Sequence, residues 1–124
     1  MCSGAATLSR VMNEEYSATE PARAEVDALA GATLLDFGSP FCGHCLRAQP
    51  LLAEALATHA SLRHLKIADA SGRRLGRSFG VKLWPTLIVL VNGVEVARVV
   101  RPQSAEQIYE FLRAEYNSVR SGDL

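Results

Sequence analysis

The stretch ATLLDFGSPFCGHCLRAQPLL, residues 32–52, contains the features that decide the fold. It opens with an apolar run at 32–37 that suits a buried strand, passes through a turn, and continues with leucines at helical spacing. Cys42 and Cys45 stand where the turn becomes the predicted helix. Pro50 lies inside that helix, so we expect a kink or a break there. The stretch therefore predicts a strand, a dithiol and a helix in succession.

The rest of the chain continues the alternation of helices and strands. Asn92-Gly93 is a strong hairpin signal between two β-rich runs. Ser104 followed by Gln107 is typical of a capping box at the start of the last helix. The other predicted elements are a helix from Thr19–Pro21 to Gly31, strands at 62–68, 86–91 and 94–100, and a short helix at 73–79. This order predicts an α/β protein with a central mixed β-sheet flanked by helices on both faces.

Length and charge bound the class of protein. The 124 residues suffice for one domain, and 13 basic residues balance 13 acidic ones without any block of like charge. We therefore expect no nucleic-acid partner and no membrane partner. The predicted organisation is an N-terminal arm at 1–18, a domain at 19–118 and a frayed tail at 119–124. We also expect a monomer without a cofactor.

Cysteine usage and the N-terminus bear on location. The chain has only three cysteines, and this low, odd number does not fit a disulfide-stapled secreted scaffold. The segment MCSGAATLSR lacks the long apolar core of a secretory signal. We therefore expect a cytoplasmic protein, with Cys2 as a free thiol on the arm.

The two neighbouring cysteines allow three interpretations. Cys42 and Cys45, followed by His59 and His64, fall within the spacing window of a Cys2His2 zinc site. Two observations argue against zinc: the cysteines lie at the start of a predicted helix, and His64 lies in a strand pattern. The two histidines therefore need not come together, and they are most simply interpreted as surface residues. Two structural buried thiols are a second alternative. A redox couple is favoured, because a helix N-terminus offers unpaired N–H groups and a positive dipole end that stabilise a thiolate.

The redox interpretation gives each residue of the motif a role. Cys42 attacks a substrate disulfide as a thiolate, and Cys45 resolves the mixed disulfide. Gly43 keeps the turn open. His44, when protonated, adds positive charge beside Cys42 and favours a more oxidising couple.

With these residues the chain resembles the thioredoxin family over roughly 20–117. The segment LLDFGSPFCGHCLRAQPLL is similar to the family's strand, active-site loop and kinked helix, and NGVEVARVV to its hairpin. Asp36 stands at the position of the family's buried acid, and Pro85, in LWPT, at that of its cis-proline. The CGHC spelling is that of the protein disulfide isomerase group. Gly38 and Phe41 depart from the family, which usually carries tryptophans there, and Arg101-Pro102 replaces a small, glycine-containing stretch.

The resemblance implies further site residues. Asp36 is expected to accept the proton of Cys45, with Lys66 as its neighbour and partner. Trp84, Pro85 and Thr86 are expected to form the loop that meets an extended substrate. Phe41 and Arg101 are expected at the rim of the site.

The predicted function is thiol–disulfide exchange with protein substrates, in the direction of a reductase. A thioredoxin-reductase-like protein or glutathione would be the electron partner. The alternatives are a disulfide oxidase or isomerase, and a non-catalytic zinc-binding or partner-binding module that keeps the fold.

Overall fold

The computed structural model of the chain describes residues 20–59, 61–70 and 73–122. The predicted N-terminal arm, with Cys2, lies outside these residues. In chain order the elements are α1 (Arg23–Asp27), β1 (Ala32–Gly38), α2 (Gly43–Leu56), β2 (Arg63–Ala68), α3 (Arg74–Ser78), β3 (Thr86–Val91), β4 (Val94–Val100) and α4 (Ala105–Gly122). This is the order of helices and strands that the sequence predicts.

The four strands form one mixed sheet in the order β2-β1-β3-β4. Strand β1 is parallel to β2 and antiparallel to β3, and β3 pairs with β4 as an antiparallel hairpin. The hairpin turn has positive φ at both Asn92 and Gly93, a geometry that matches the twist of the two strands. The predicted bounds of β3 and β4 are confirmed, because alternation and an Asn-Gly turn are local signals.

Apolar side chains fill both sides of the sheet. Leu34 and Leu35 are neighbours on β1 and belong to different core clusters, because successive strand residues point to opposite faces. The first cluster includes Leu34, Leu52, Ala55, Leu87, Val89, Ile108, Phe111 and Leu112. The second includes Val26, Leu35, Phe37, Ile67, Leu75, Phe79 and Ile88. Helices α2 and α4 thus cover one face and α1 and α3 the other, as expected.

Two helix boundaries differ from the predictions. Helix α1 begins at Arg23. The Ala22 N–H donates a hydrogen bond to the Glu25 carboxylate at 2.9 Å, and this bond fixes the start of the helix. Helix α2 runs through Pro50 without a break. Helix α4 reaches Gly122, four residues beyond the boundary expected at 118. Within the described part of the chain, no helix is both long and apolar enough to cross a membrane.

Candidate active site

The two cysteines of the CGHC motif lie at the start of α2, both as free thiols. Cys42 is the N-cap residue, and its Sγ accepts a hydrogen bond from the Cys45 backbone N–H at 3.4 Å. Cys42 is partly exposed, whereas Cys45 is only 1% exposed. An incoming disulfide therefore meets Cys42 first, and Cys45 is placed one turn behind it.

The environment of Cys42 favours its thiolate. Partial burial acts to raise the pKa of Cys42, but this effect is outweighed by four others. Hydrogen bonds from the Cys45 side chain, from the Cys45 backbone and from the His44 backbone lower the pKa, and so does the charge of Arg101. The pKa of Cys42 therefore lies below its ordinary value, as expected for a thiol that caps a helix.

His44 stands between the two cysteines, and two arginines lie near its ring. Its ring is exposed and contacts Arg47, with Nδ1 2.9 Å from the guanidinium. Partial desolvation, and then the charges of Arg101 and Arg47, lower the pKa of His44. A lowered pKa disfavours the protonated ring, which is the form through which we expected His44 to stabilise the thiolate. The positive charge beside Cys42 comes from Arg101, and His44 acts through its backbone N–H.

A buried polar cluster lies beneath the dithiol. Asp36 is completely buried on β1, and Lys66, 5% exposed, is its register partner on β2. The Lys66 Nζ donates to the Gln49 Oε1 at 2.7 Å, and the Gln49 Nε2 donates to the Cys45 carbonyl at 3.3 Å. Two hydrogen bonds therefore connect β2 to the turn that carries Cys45. Gln49 was not singled out in the sequence, although its spacing of four residues from Cys45 was a usable signal.

His64 belongs to the same cluster. Its Nε2 lies 3.7 Å from the Asp36 Oδ2, and its side chain is only 10% exposed. The interpretation of His64 as a surface residue is therefore wrong. The parallel register places His64 opposite Leu34, which brings its ring diagonally towards Asp36.

The four candidate zinc ligands do not come together. His59 lies at the far end of α2, where its Nδ1 is 3.1 Å from the Ala55 carbonyl, whereas His64 faces Asp36. Among the residues that the structure describes, no three His, Cys, Asp or Glu side chains are grouped so that they could hold a metal ion. The zinc interpretation lacks the geometry that it requires.

The loop before β3 forms the second half of the site. The Trp84–Pro85 peptide bond is cis, as the resemblance implied. The indole Nε1 of Trp84 donates to the Asp69 Oδ2 at 2.9 Å, so the ring is held by a residue that the sequence analysis did not consider. Thr86 was expected to meet the substrate, but it is 1% exposed, and its hydroxyl donates to the Leu83 carbonyl at 2.6 Å. Thr86 therefore supports the loop from within.

Arg101 and Phe41 lie near Cys42, since the charge of Arg101 acts on this thiol and Phe41 precedes it in the chain. The Arg101 Nε donates to the Trp84 carbonyl at 2.7 Å, and its backbone N–H donates to the Pro85 carbonyl at 2.9 Å. Its φ of 51° is in the left-handed region. The Phe41 side chain is 92% exposed, and Leu46, in the first turns of α2, is exposed as well. The surface around Cys42 therefore combines apolar side chains with positive charge.

A four-stranded mixed sheet, a dithiol at a helix N-terminus and a cis-proline loop define a dithiol protein of the thioredoxin fold. The thioredoxin family model matches residues 15–114, and the chain belongs to the thioredoxin family.

Known proteins with similar sequences include both thioredoxins and larger disulfide isomerases. The chain is 31% identical to a thioredoxin of Chlamydia muridarum, over 69% of this chain and 85% of that protein. It is 35% identical to protein disulfide isomerase-like 5-2 of Oryza sativa subsp. japonica, over 70% of this chain and 21% of that protein. The chain thus spans only about a fifth of the length of this larger relative.

Solved structures give the same fold. The reduced form of thioredoxin 2 from Pseudomonas aeruginosa PAO1 has 55% sequence identity and a TM-score of 0.77, over 86% of this chain and 99% of that one. Trxlp from Edwardsiella tarda EIB202 has 26% identity and a TM-score of 0.63, over 72% of this chain and 88% of that one.

Proposed function

We propose that this chain is a thiol–disulfide oxidoreductase that acts on protein disulfides through Cys42 and Cys45. The observation that carries the proposal is the arrangement at the start of α2. A partly exposed Cys42 caps the helix and has a lowered pKa, and a buried Cys45 follows one turn later. Membership of the thioredoxin family supports the same reaction.

The reaction has two steps. The Cys42 thiolate attacks one sulfur of a substrate disulfide, a mixed disulfide forms, and the other substrate sulfur leaves as a thiolate. Cys45 then loses its proton to Asp36 and attacks the Cys42 sulfur, which releases the second substrate thiolate. The substrate gains two electrons and the protein keeps a Cys42–Cys45 disulfide. Because the thiols carry the electrons, no bound cofactor takes part.

The cysteine variants test this mechanism directly. With a protein disulfide such as that of insulin, Cys42→Ser should abolish turnover, and Cys45→Ala should accumulate a mixed disulfide that mass spectrometry detects. Cys2→Ser is the matched control and should keep full activity. Full activity in both Cys42→Ser and Cys45→Ala would overturn the proposal.

A reductase is the favoured direction of electron flow. It is supported by 55% identity to a thioredoxin and by the lowered pKa of His44, since a less readily protonated ring stabilises the thiolate less. The second candidate is an oxidase or isomerase, which the similarity to proteins named disulfide isomerases favours. Equilibration of Cys42–Cys45 with glutathione buffers separates them. A potential near about −270 mV supports the reductase, and one near about −180 mV supports the second candidate.

The partners follow from the rim of the site. An extended substrate segment lies along the backbone at Trp84, beside Arg101 and the exposed Phe41, so segments that combine acidic and apolar residues fit best. Matched peptide disulfides with Glu, Gln or Lys next to the cysteine test this: the Glu peptide should react fastest, and its advantage should shrink with added salt. Equal rates would contradict the substrate assignment.

The electron partner is a thioredoxin-reductase-like protein or glutathione, and the protein works as a monomer in the cytoplasm. The low cysteine count supports a reducing compartment. Cell fractionation and light scattering test location and oligomeric state, and a dimer or a secreted protein would contradict these assignments.

A further inference from the structure

His64 has an environment that a structural histidine rarely has. Both ring nitrogens are buried, and neither has a hydrogen-bond partner among the described residues. A buried polar group left in this state lowers the stability of the folded protein. An apolar side chain opposite Leu34 would avoid this cost, since Leu34 itself belongs to the apolar core. The histidine is therefore better explained by its chemistry than by its packing.

The ring faces a group that the proposed reaction uses. The Nε2 of His64 lies 3.7 Å from the Asp36 Oδ2, which is slightly too far for a hydrogen bond and close enough for one after a shift of less than about 1 Å. A proton on the Asp36 Oδ2 can be donated to the His64 Nε2, which accepts no other hydrogen bond from the described residues. The pair lies in the interior, where such a contact is stronger than in water.

The elements that pack on this side of the sheet bring few ionisable groups to His64. Asp36 faces it from β1, and Lys66 lies two residues further along β2 on the same face. The residues of α2 that face the sheet are Cys45, Ala48, Leu52 and Ala55, with the Gln49 amide beside them, and none of these side chains carries a permanent charge. The ionisable groups that the described parts of β1, β2 and α2 place on this side are thus Asp36, Lys66 and the Cys45 thiol.

We propose that His64 and Asp36 act together as the proton acceptor for Cys45 in the resolving step. This inference rests on the proposed oxidoreductase function. The Cys45 thiol gives its proton to Asp36 as its sulfur bonds to Cys42 and the bond between Cys42 and the substrate sulfur breaks. Cys45 is oxidised, and the substrate sulfur leaves reduced, as a thiolate. The proton passes from the Asp36 carboxyl to the His64 Nε2, which leaves an imidazolium beside a carboxylate, and is later released to water.

The pairing predicts a distinctive pH dependence. A histidine that already holds a proton cannot receive a second one, so the resolving step slows as the solution becomes more acidic. His64→Leu removes this base. The variant should therefore resolve at least about tenfold more slowly at pH 8, a modest loss for a general base, and its rate should depend less on pH than that of the wild type. A purely structural effect would lower the rate equally at every pH.

The resolving step can be followed in a Cys2→Ser background with 5,5′-dithiobis(2-nitrobenzoate). The first nitrothiobenzoate is released when Cys42 attacks, and the second when Cys45 displaces it from Cys42, so stopped-flow absorbance separates the two steps. His64→Gln is a second variant, for the case that His64→Leu fails to fold; it keeps a polar side chain but no proton acceptor of this strength, and it should show the same weaker pH dependence. His59→Gln is the matched control and should keep the wild-type profile.

The combined variant with Asp36→Asn completes the test. If the two residues act as one acceptor, Asp36→Asn with His64→Leu should be no slower than Asp36→Asn alone, whereas independent roles would multiply the losses. Multiplied losses, or a His64→Leu profile parallel to that of the wild type, would overturn the role of His64 and leave the proposed function intact. Absence of the second nitrothiobenzoate release in the wild type would instead overturn the proposed function.

Discussion

The guanidinium of Arg101 is bonded to the carbonyl of Trp84, with 2.7 Å between Nε and the oxygen. This carbonyl belongs to the residue before the cis-proline, where an extended substrate would form its backbone hydrogen bonds. Arg101 also lowers the pKa of Cys42. A single side chain at the end of β4 thus links the substrate-facing loop to the ionisation of the attacking thiol.

Replacement of Arg101 by glutamine should make Cys42 less reactive at low pH. The thiolate is the reactive form, and a lowered pKa moves its formation to lower pH. Loss of the arginine charge raises the pKa again, so alkylation of Cys42 by iodoacetamide should slow at acidic and neutral pH and converge with the wild type at high pH. Peptide mapping by mass spectrometry measures the rate at Cys42 alone. Arg113→Gln, in the exposed part of α4, is the control and should leave the profile unchanged; equal profiles for both variants would contradict the role of Arg101.

The backbone at Arg101 should favour glycine over alanine. A φ of 51° brings Cβ close to the carbonyl oxygen, at a cost of about 1 kcal/mol that glycine avoids. Arg101→Gly should therefore be more stable to urea than Arg101→Ala by about 1 kcal/mol, and both lose the same side-chain bond. At Gln103, which is exposed and has no positive φ, the same pair should show the opposite order or no difference. An alanine variant as stable as the glycine variant at 101 would argue against strain there.

Substitution of Gly76 by alanine should release the Trp84 ring. A Cβ at Gly76 would meet the Asp69 carboxylate, which accepts the indole hydrogen bond of Trp84. We expect a changed fluorescence spectrum, which reports only Trp84 because the chain has one tryptophan. The rate with a peptide disulfide should fall, while alkylation of Cys42 should be unaffected. Asp69→Asn keeps the side-chain volume and serves as the comparison; an unchanged spectrum in Gly76→Ala would show that Asp69 adjusts without moving Trp84.

Replacement of Gln49 by leucine should destabilise the reduced protein. The change removes one acceptor of the buried Lys66 ammonium and the bond to the Cys45 carbonyl. Hydrogen bonds to charged groups contribute about 1.5–3 kcal/mol, so we expect a loss of about 2 kcal/mol in the free energy of unfolding. Urea denaturation measures it. Gln103→Leu, at an exposed position, should change stability by less than about 0.5 kcal/mol, and a similarly small change at Gln49 would mean that the connection from β2 to α2 is not important for stability.

Local patterns were sufficient for most of the fold. Strands β3 and β4 were predicted with their observed bounds because alternation, β-branched residues and an Asn-Gly turn act over a few residues. The start of α1 was predicted less accurately, because the bond between the Ala22 N–H and the Glu25 carboxylate fixes it and other helix-start signals lie nearby in the sequence. No break occurs at Pro50, since a proline removes one helical hydrogen bond and the packed face of α2 supports the rest.

The sequence by itself determined the order of the elements, the position of Cys42 and Cys45 at a helix start, and the proline of the loop opposite, because each of these depends on neighbouring residues. Only the tertiary structure decided which charges surround the dithiol. The lowered pKa of His44 reflects desolvation and the charge of Arg101, which is 57 positions away and is placed by the pairing of β3 with β4. The burial of His64 beside Asp36 depends on the parallel register of β1 and β2. Contacts between residues distant in the chain follow from strand register and from the packing of helices on the sheet, and no local pattern contains that information.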